Sequence, residues 1–255
     1  QAAGALVDDE AGGVLVVTID RPEVRNAINT ATTQGIADAM DLLDNTPELT
    51  AGVLTGAGGT FCTGMDLKAF LAGERPSIEG RGFAGIAQTP PAKPIIAAVE
   101  GHAIAGGFEI VLACDLVVAS QTAVFGLPEV KRGLLAGGGG LLRLPERVPY
   151  AVGLEWALTG DFVSAEQARE AGLISRLTEP GEALAEAIAL AERIARNGPL
   201  GVRGTKEIMT KARDWSNDER FAEMWKIYEP IRSSEDAREG ATAFKEKRDP
   251  VWKGR

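Results

Sequence analysis

One histidine, two cysteines, aromatic side chains at 5% of 255 residues and no unbroken apolar run of membrane-spanning length define this sequence first by what it withholds. A transmembrane helix needs about 20 consecutive apolar residues, and the longest apolar segments are interrupted by Glu100, Glu109 and Asp115. QAAGALVDDE at the start lacks a basic region followed by an apolar block, so no signal peptide and no membrane partner are expected. A structural zinc site takes four nitrogen or sulfur ligands, which so few His and Cys residues argue against. Cys62 and Cys114 stand far apart in apolar contexts and read as buried free thiols, which places the protein in a reducing, cytoplasmic compartment. Thirty-six acidic residues against 27 basic ones leave a net charge of −9. That excludes a general nucleic-acid surface but leaves room for an anionic small ligand held by a few local cations.

Familiar motifs are missing too. GAGGT (56–60) and the run Gly137 to Gly140 resemble phosphate loops, yet neither has the spacing of a dinucleotide fold or the Lys-Ser/Thr ending of a P-loop. No serine sits in a G-x-S-x-G elbow. The lone His102 reads as a satisfied structural histidine.

What is present is glycine, 31 residues of it, and an alternation of short apolar strands with helices, the mark of an α/β layered core. Strands are expected at ALVDDE and GVLVVTID around a turn at Ala11-Gly12-Gly13, then at 51–56, 94–101 and 115–120, with a short one leading into FGLPEVKRG. A helix capped near Asn29 or Thr30 carries Ile36, Met40 and Leu43 on one face. FCTGMDLKAF opens a second helix and FEIVLAC (108–114) forms a buried third. Residues 72–93 read as irregular, a mobile pocket wall. From Tyr150 onward the pattern turns purely helical, with Ser164 and Gln167 as a capping box. Leu184, Ile188, Ala191 and Ile194 form one apolar stripe, and Phe221, Met224, Trp225 and Tyr228 another.

Glu109 stands in AVEGHAIAGGFEIVLACDLVVAS, where nearly every neighbour is apolar or glycine. A buried ionised carboxylate is neutralised, paired or employed. Its position after Gly106-Gly107 equally suits a helix-start glutamate stabilised by the helix dipole. In FGLPEVKRG, Glu129 follows Pro128 and is again flanked by apolar residues. Two such carboxylates form a candidate acid/base pair. Acid/base work on a carbonyl also needs donors for a developing oxyanion, which backbone amides at the glycine-rich starts Thr63-Gly64-Met65 and Ala105-Gly106-Gly107 supply.

With these blocks in order (RPEVRNAIN, TGAGGTFCTGMDLKAF, KPIIAAVEGHAIAGGFEIVLACDLVVAS, FGLPEVKRGLLAGGGGLLRLP, LTGDFVSAEQAREAGL and the SEDAREG to DPVWKGR tail) the sequence resembles the crotonase, or enoyl-CoA hydratase/isomerase, superfamily over nearly its whole length. The tail and GRGFAG look most like carnitinyl-CoA dehydratases. The resemblance implies an α/β, crotonase-like spiral core of repeated ββα units over 1–195. It further implies a helical C-terminal region, 196–255, that builds a homotrimer or a dimer of trimers.

By the same resemblance, the N–H groups of Met65 and Gly106 form the oxyanion hole and Glu109 and Glu129 are catalytic, Glu109 as base and Glu129 as acid. An acyl-CoA thioester is the substrate and no cofactor or metal is required. Val24, Arg25 and Ala27 match the coenzyme-facing loop. Thr63, Asp66 and Leu67 match residues around adenine and pantetheine, and Pro128 lies in the same pocket. Phe244 and Lys247 match residues that reach a neighbouring subunit's ligand. Met65 stands where many hydratases carry alanine, and AGGGG replaces a proline-containing segment. The implied reaction is hydration of an enoyl-CoA. Its rivals are a Δ3,Δ2-enoyl-CoA isomerase, which can work with one carboxylate, a carnitinyl-CoA-type dehydratase, and a non-catalytic acyl-CoA-binding protein, which would have lost a glutamate.

Overall fold

The computed structural model describes residues 5–10, there as backbone only, and residues 12–255. Its strands are β1 (Ala5–Glu10), β2 (Val14–Ile19), β3 (Ala51–Gly56), β4 (Ser77–Ile78), β5 (Gly82–Phe83), β6 (Ile95–Val99), β7 (His102–Ile104), β8 (Leu116–Ser120), β9 (Val124–Gly126), β10 (Val163–Ser164) and β11 (Arg176–Thr178). A six-stranded sheet runs β1-β2-β3-β6-β8-β11, and a three-stranded sheet runs β10-β9-β7. From β2 to β11 the large sheet is parallel throughout. Parallel strands are covered on both faces, and β6 accordingly is buried along its whole length. The chain steps from the large sheet to the small one twice, from β6 to β7 and from β8 to β9, which is the expected repeat. Of the turn foreseen at Ala11-Gly12-Gly13, Ala11 lies outside the described residues; Gly12 and Gly13 both take positive φ, 102° and 78°.

The helices are α1 (Thr30–Asn45), α2 (Leu67–Leu71), α3 (Gly106–Ala113), α4 (Gly140–Arg147), α5 (Tyr150–Thr159), α6 (Ala165–Glu170), α7 (Ala183–Ala195), α8 (Pro199–Lys211), α9 (Arg220–Arg232) and α10 (Glu235–Glu246). Asn29 caps α1, its side chain accepting from Thr32 N–H, and Ser164 with Gln167 closes the capping box on α6. The two faces of the large sheet alternate as the pleat requires. Val17, Leu54, Ala97 and Val117 face the main core with Ile36, Met40 and Leu43 of α1. Val16, Val53, Ala98 and Val118 face Ala183, Ala187 and Ala191 of α7, with Leu184, Ile188 and Ile194 beside them.

Three expectations need correction. The chain after Tyr150 is not purely helical: β11 joins the large sheet parallel to β8, and at three residues it is too short to leave a periodic signal. Residues 72–93 hold the β4–β5 hairpin. They are also tied down, with Ala84 and Ile86 in the core and Arg81 paired to Asp41. His102 is exposed, and among the described residues its ring has no hydrogen-bond partner.

The loop leading to α1 depends on Asn26, fully buried with φ 57°. Its Oδ1 accepts from Arg21 N–H and its Nδ2 donates to Ala57 O and Thr60 O, at 2.9, 2.8 and 2.6 Å. Asn26→Ala orphans all three partners and places a Cβ without local hydrogen bonding in the left-handed region. Urea denaturation should show a loss of about 3 kcal/mol; a loss below about 0.5 kcal/mol would show that the loop is held elsewhere.

Candidate active site

β7 and β9 run side by side and parallel, with Ile104 opposite Gly126. Beyond Ile104 the chain turns at once into α3; beyond Gly126 it enters a 3-10 turn, Pro128–Arg132. Glu109 in the first turn of α3 and Glu129 in the first turn of the other therefore emerge from the same ends of two adjacent strands. Both line one cavity of about 1060 Å³. That is how carboxylates 20 residues apart converge.

The segment around Cys62 runs parallel to β7, Cys62 N–H donating to His102 O and Ile104 N–H to Cys62 O. This lays Gly64-Met65 against Ala105-Gly106 so closely that a Cβ on Gly64 would stand 2.9 Å from Gly106 N, and φ there is 93°. Met65 and Gly106 both line the cavity. Among the described residues neither backbone N–H has an acceptor. Gly106 is the first residue of α3, where no intrahelical acceptor exists.

Glu109 is 4% exposed. Its Oε1 accepts from Gly140 N–H at 2.9 Å. The loop before α4 presses on it, since a Cβ on Gly138 would lie 2.7 Å from Oε2 and one on Gly140 2.9 Å from Cγ. Burial raises the Glu109 pKa, and the Glu129 charge adds to the rise; the amides of Gly140 and Gly138 and the Arg143 guanidinium oppose it. Glu129 is raised chiefly by burial, with its own backbone amide and Arg132 acting the other way. Oε2 of Glu129 is buried and accepts no hydrogen bond from the described residues, an arrangement that costs free energy and that a ligand can relieve.

Thr63, Leu67 and Pro128 also line the cavity. Val24, Arg25, Ala27 and Asp66 do not. Ala27 is buried, and Arg25 holds the left-handed end of a 3-10 turn, its carbonyl accepting from Thr63 N–H. The Asp66 carboxylate caps α2 through Lys68 N–H and Ala69 N–H and pairs with Arg21 at 3.0 Å, which holds its pKa below the usual range. Phe244, 88% exposed, and Lys247, the left-handed cap of α10, lie outside this chain's own cavity. Sequence reasoning missed Gly138 and Gly140 as the residues that seat Glu109. It also missed Phe83, whose ring fills the place of a Gly106 side chain, 2.6 Å from its Cβ position. Their only signal was the density of glycine itself. Among the described residues no group of His, Cys, Asp and Glu side chains is placed to hold a metal, and no helix is long and apolar enough to cross a membrane.

A family model described as enoyl-CoA hydratase/isomerase matches residues 9–255. The chain belongs to that family. It is 57% identical to the crystal structure of an enoyl-CoA hydratase from Mycobacterium tuberculosis H37Rv, with a TM-score of 0.97 and 99% of each chain covered. A carnitinyl-CoA hydratase structure from Mycobacterium avium is 43% identical at a TM-score of 0.78, again over 99% of each. A carnitinyl-CoA dehydratase of Salmonella enteritidis PT4 is 40% identical over 252 residues, 96% of each chain. The fold is thus crotonase-like, α/β with a helical C-terminal region.

The raised carboxyl pKa values have a stability consequence. At neutral pH the unfolded chain ionises Glu109 freely, whereas the folded chain does so against burial. Folded-state stability from this group is therefore fullest below the ordinary value of 4.5 and is lost as pH rises through the raised folded value. Glu109→Gln keeps an oxygen for Gly140 N–H and carries no charge. It should unfold at higher temperature than the parent at pH 7, the gap closing as pH falls to about 4.5. A gap of the opposite sign at pH 7 would overturn the assignment of burial as the dominant influence.

Proposed function

We propose that this protein is an enoyl-CoA hydratase, a hydro-lyase that adds water across the 2,3-double bond of an enoyl-CoA thioester without a separate cofactor. The observation that carries the reading is the convergence of two pKa-raised carboxylates and two acceptor-free amides on one cavity. The thioester oxygen takes the N–H groups of Met65 and Gly106. Charge then develops on that oxygen as the water oxygen bonds to C3, and each such donor is worth about 3 kcal/mol in acyl chemistry. Glu109 accepts the water proton, and Glu129 delivers a proton to C2, so that H and OH are added in sum. Exchange with solvent resets both carboxyls.

The division of labour follows from their surroundings. Glu109 has the Gly140 donor and the Arg143 charge to favour its ionised form. Glu129 Oε2 has no donor, which suits a carboxyl that is protonated when it acts. An isomerase would need only one of these groups, and a binding protein neither.

The C-terminal helices 196–255 are proposed as an assembly region. Phe221, Trp225 and Tyr228 are exposed on one helix, α9, which is more large apolar surface than a solvated helix carries. Burial between subunits, as a homotrimer or a pair of them, accounts for it; a monomer by light scattering at micromolar concentration would overturn this.

Hydration of crotonyl-CoA, followed by loss of the enoyl thioester absorbance, tests the chemistry. Glu109→Gln and Glu129→Gln should each lower kcat by roughly 10²–10⁴-fold, the worth of a positioned acid or base. The parent's kcat/KM should rise with pH through a value above the ordinary glutamate range as Glu109 ionises. Full activity in either variant would remove that residue from the mechanism.

A further inference from the structure

Three carboxylates and three guanidinia line the cavity, yet they form no ion pair with one another. Besides Glu109 and Glu129 its acidic residue is Glu146, which is already paired with Arg213. Its basic residues are Arg75, Arg132 and Arg143. Arg143 feels the charges of Glu146 and Glu109, and its Nη1 stands 2.7 Å from the Cβ position of Gly139. Arg75 and Arg132 are exposed and, among the described residues, form no ion pair, although Arg132 lies near enough to Glu129 to ease its ionisation. Among the described residues Arg132 has no hydrogen-bond or ion-pair partner, and Arg75 donates only to the Glu74 carbonyl. Apart from Glu109 and Glu129, every charged lining residue without an ion pair among the described residues is an arginine.

Aromatic rings do not offset this. A quaternary ammonium group needs an open ring face or an anion, and the cavity holds Phe70, Phe83 and Phe162. One face of Phe70 is occupied by Arg75, its Cζ 4.6 Å from the ring centroid. Phe83 lies against Gly106, and Phe162 against Gly126, where a Cβ would be 2.9 Å from its Cδ1.

We propose that Arg75 and Arg132 are specificity-determining residues that select an acyl group ending in a carboxylate and disfavour one ending in a trimethylammonium. The inference takes the thioester's place on the Met65 and Gly106 amides from the hydratase reading. It separates this chain from its carnitinyl-type relatives by the sign of charge its cavity accepts. Guanidinia bind phosphate as readily as carboxylate, so the coenzyme's own phosphates are the competing source of anion, and the test must distinguish the two.

Three enoyl thioesters of matched length, ending in a carboxylate, a methyl or a trimethylammonium, are compared as CoA esters and as pantetheine esters without the nucleotide phosphates. The parent should prefer the carboxylate over the trimethylammonium by about tenfold or more in kcat/KM. Arg75→Gln and Arg132→Gln should each shrink the carboxylate-to-methyl ratio about fivefold, the scale of one exposed ion pair, and equally in both ester series. A ratio cancels any effect of Arg132 on Glu129 common to all substrates.

Equal turnover of the two charged substrates overturns the proposal. So does a ratio unmoved by both substitutions, or a rate loss seen only with CoA esters, which would assign the arginines to the phosphates. Saturated thioesters of the same three classes, titrated for binding, separate the two readings. If nothing is hydrated but the carboxylate ester still binds about tenfold tighter than the cationic one, the hydratase reading fails and the selectivity stands.

Discussion

Between the end of β7 and the start of α3 the chain has a single residue, Ala105, in which to convert a strand into a helix. It does so at φ 51°, ψ −130°, a conformation that an L residue adopts at a cost of about 1–3 kcal/mol. The surroundings over-determine it: Ala105 N–H donates to Gly126 O, and the N–H groups of Phe108 and Glu109 both return to Ala105 O. A gentler turn would carry the first amides of α3 away from Gly64-Met65. The close approach also dictates composition, since a Cβ on Gly107 would lie 2.1 Å from Cys62 O. The amide of Gly106, the packing of Gly64 against it and the direction of Glu109 are consequences of this one junction.

The second constraint is electrostatic. A helix start rich in free amides favours a nearby anion, which partly stabilises Glu109 there. Burial works against it and wins, because its pKa is raised. The glycines from 137 to 140 moderate that outcome. Only residues without side chains can bring an amide to 2.9 Å from Glu109 while occupying the space a Cβ would contest with the carboxylate. The run that resembles a phosphate loop in the sequence binds an anion after all, and the anion is the protein's own.

The elements that were legible beforehand are those with a local cause. α1 has its cap and its apolar face, α7 its stripe, α6 its capping box, and β6 and β8 are continuous apolar runs. The two candidate carboxylates were legible as types, because a glutamate among apolar residues is conspicuous. Their convergence was not, since it depends on the β7–β9 register, a pairing across 22 residues of which no side chain speaks. β11 was missed for the same reason: its membership of the large sheet is decided by β8. Asp66 was read through its motif as a residue near the coenzyme; that its carboxylate also caps α2 and pairs with Arg21, 45 residues away, leaves no local trace in the sequence. The loop at 24–27, expected to face the coenzyme, was read through resemblance; Asn26, which fixes its path, drew no notice because its partners are backbone groups, two of them carbonyls from another segment.

Charge ties the site to the rest of the molecule. At net −9 the chain as a whole repels a polyanionic thioester, but exposed charges more than about 8–10 Å away are screened at physiological ionic strength. The decision therefore falls to the few guanidinia on the cavity wall. Arg132 stands close enough to Glu129 to ease its ionisation without forming an ion pair with it. A bound anionic acyl group would draw on the same guanidinium field and add a negative charge near Glu129, and both effects favour the protonated carboxyl. In the proposed hydration, protonated is the form in which Glu129 would deliver a proton to C2. An anionic acyl group would thus be selected by Arg132 and would at the same time bring the acid into its working state, whereas a cationic one would do neither.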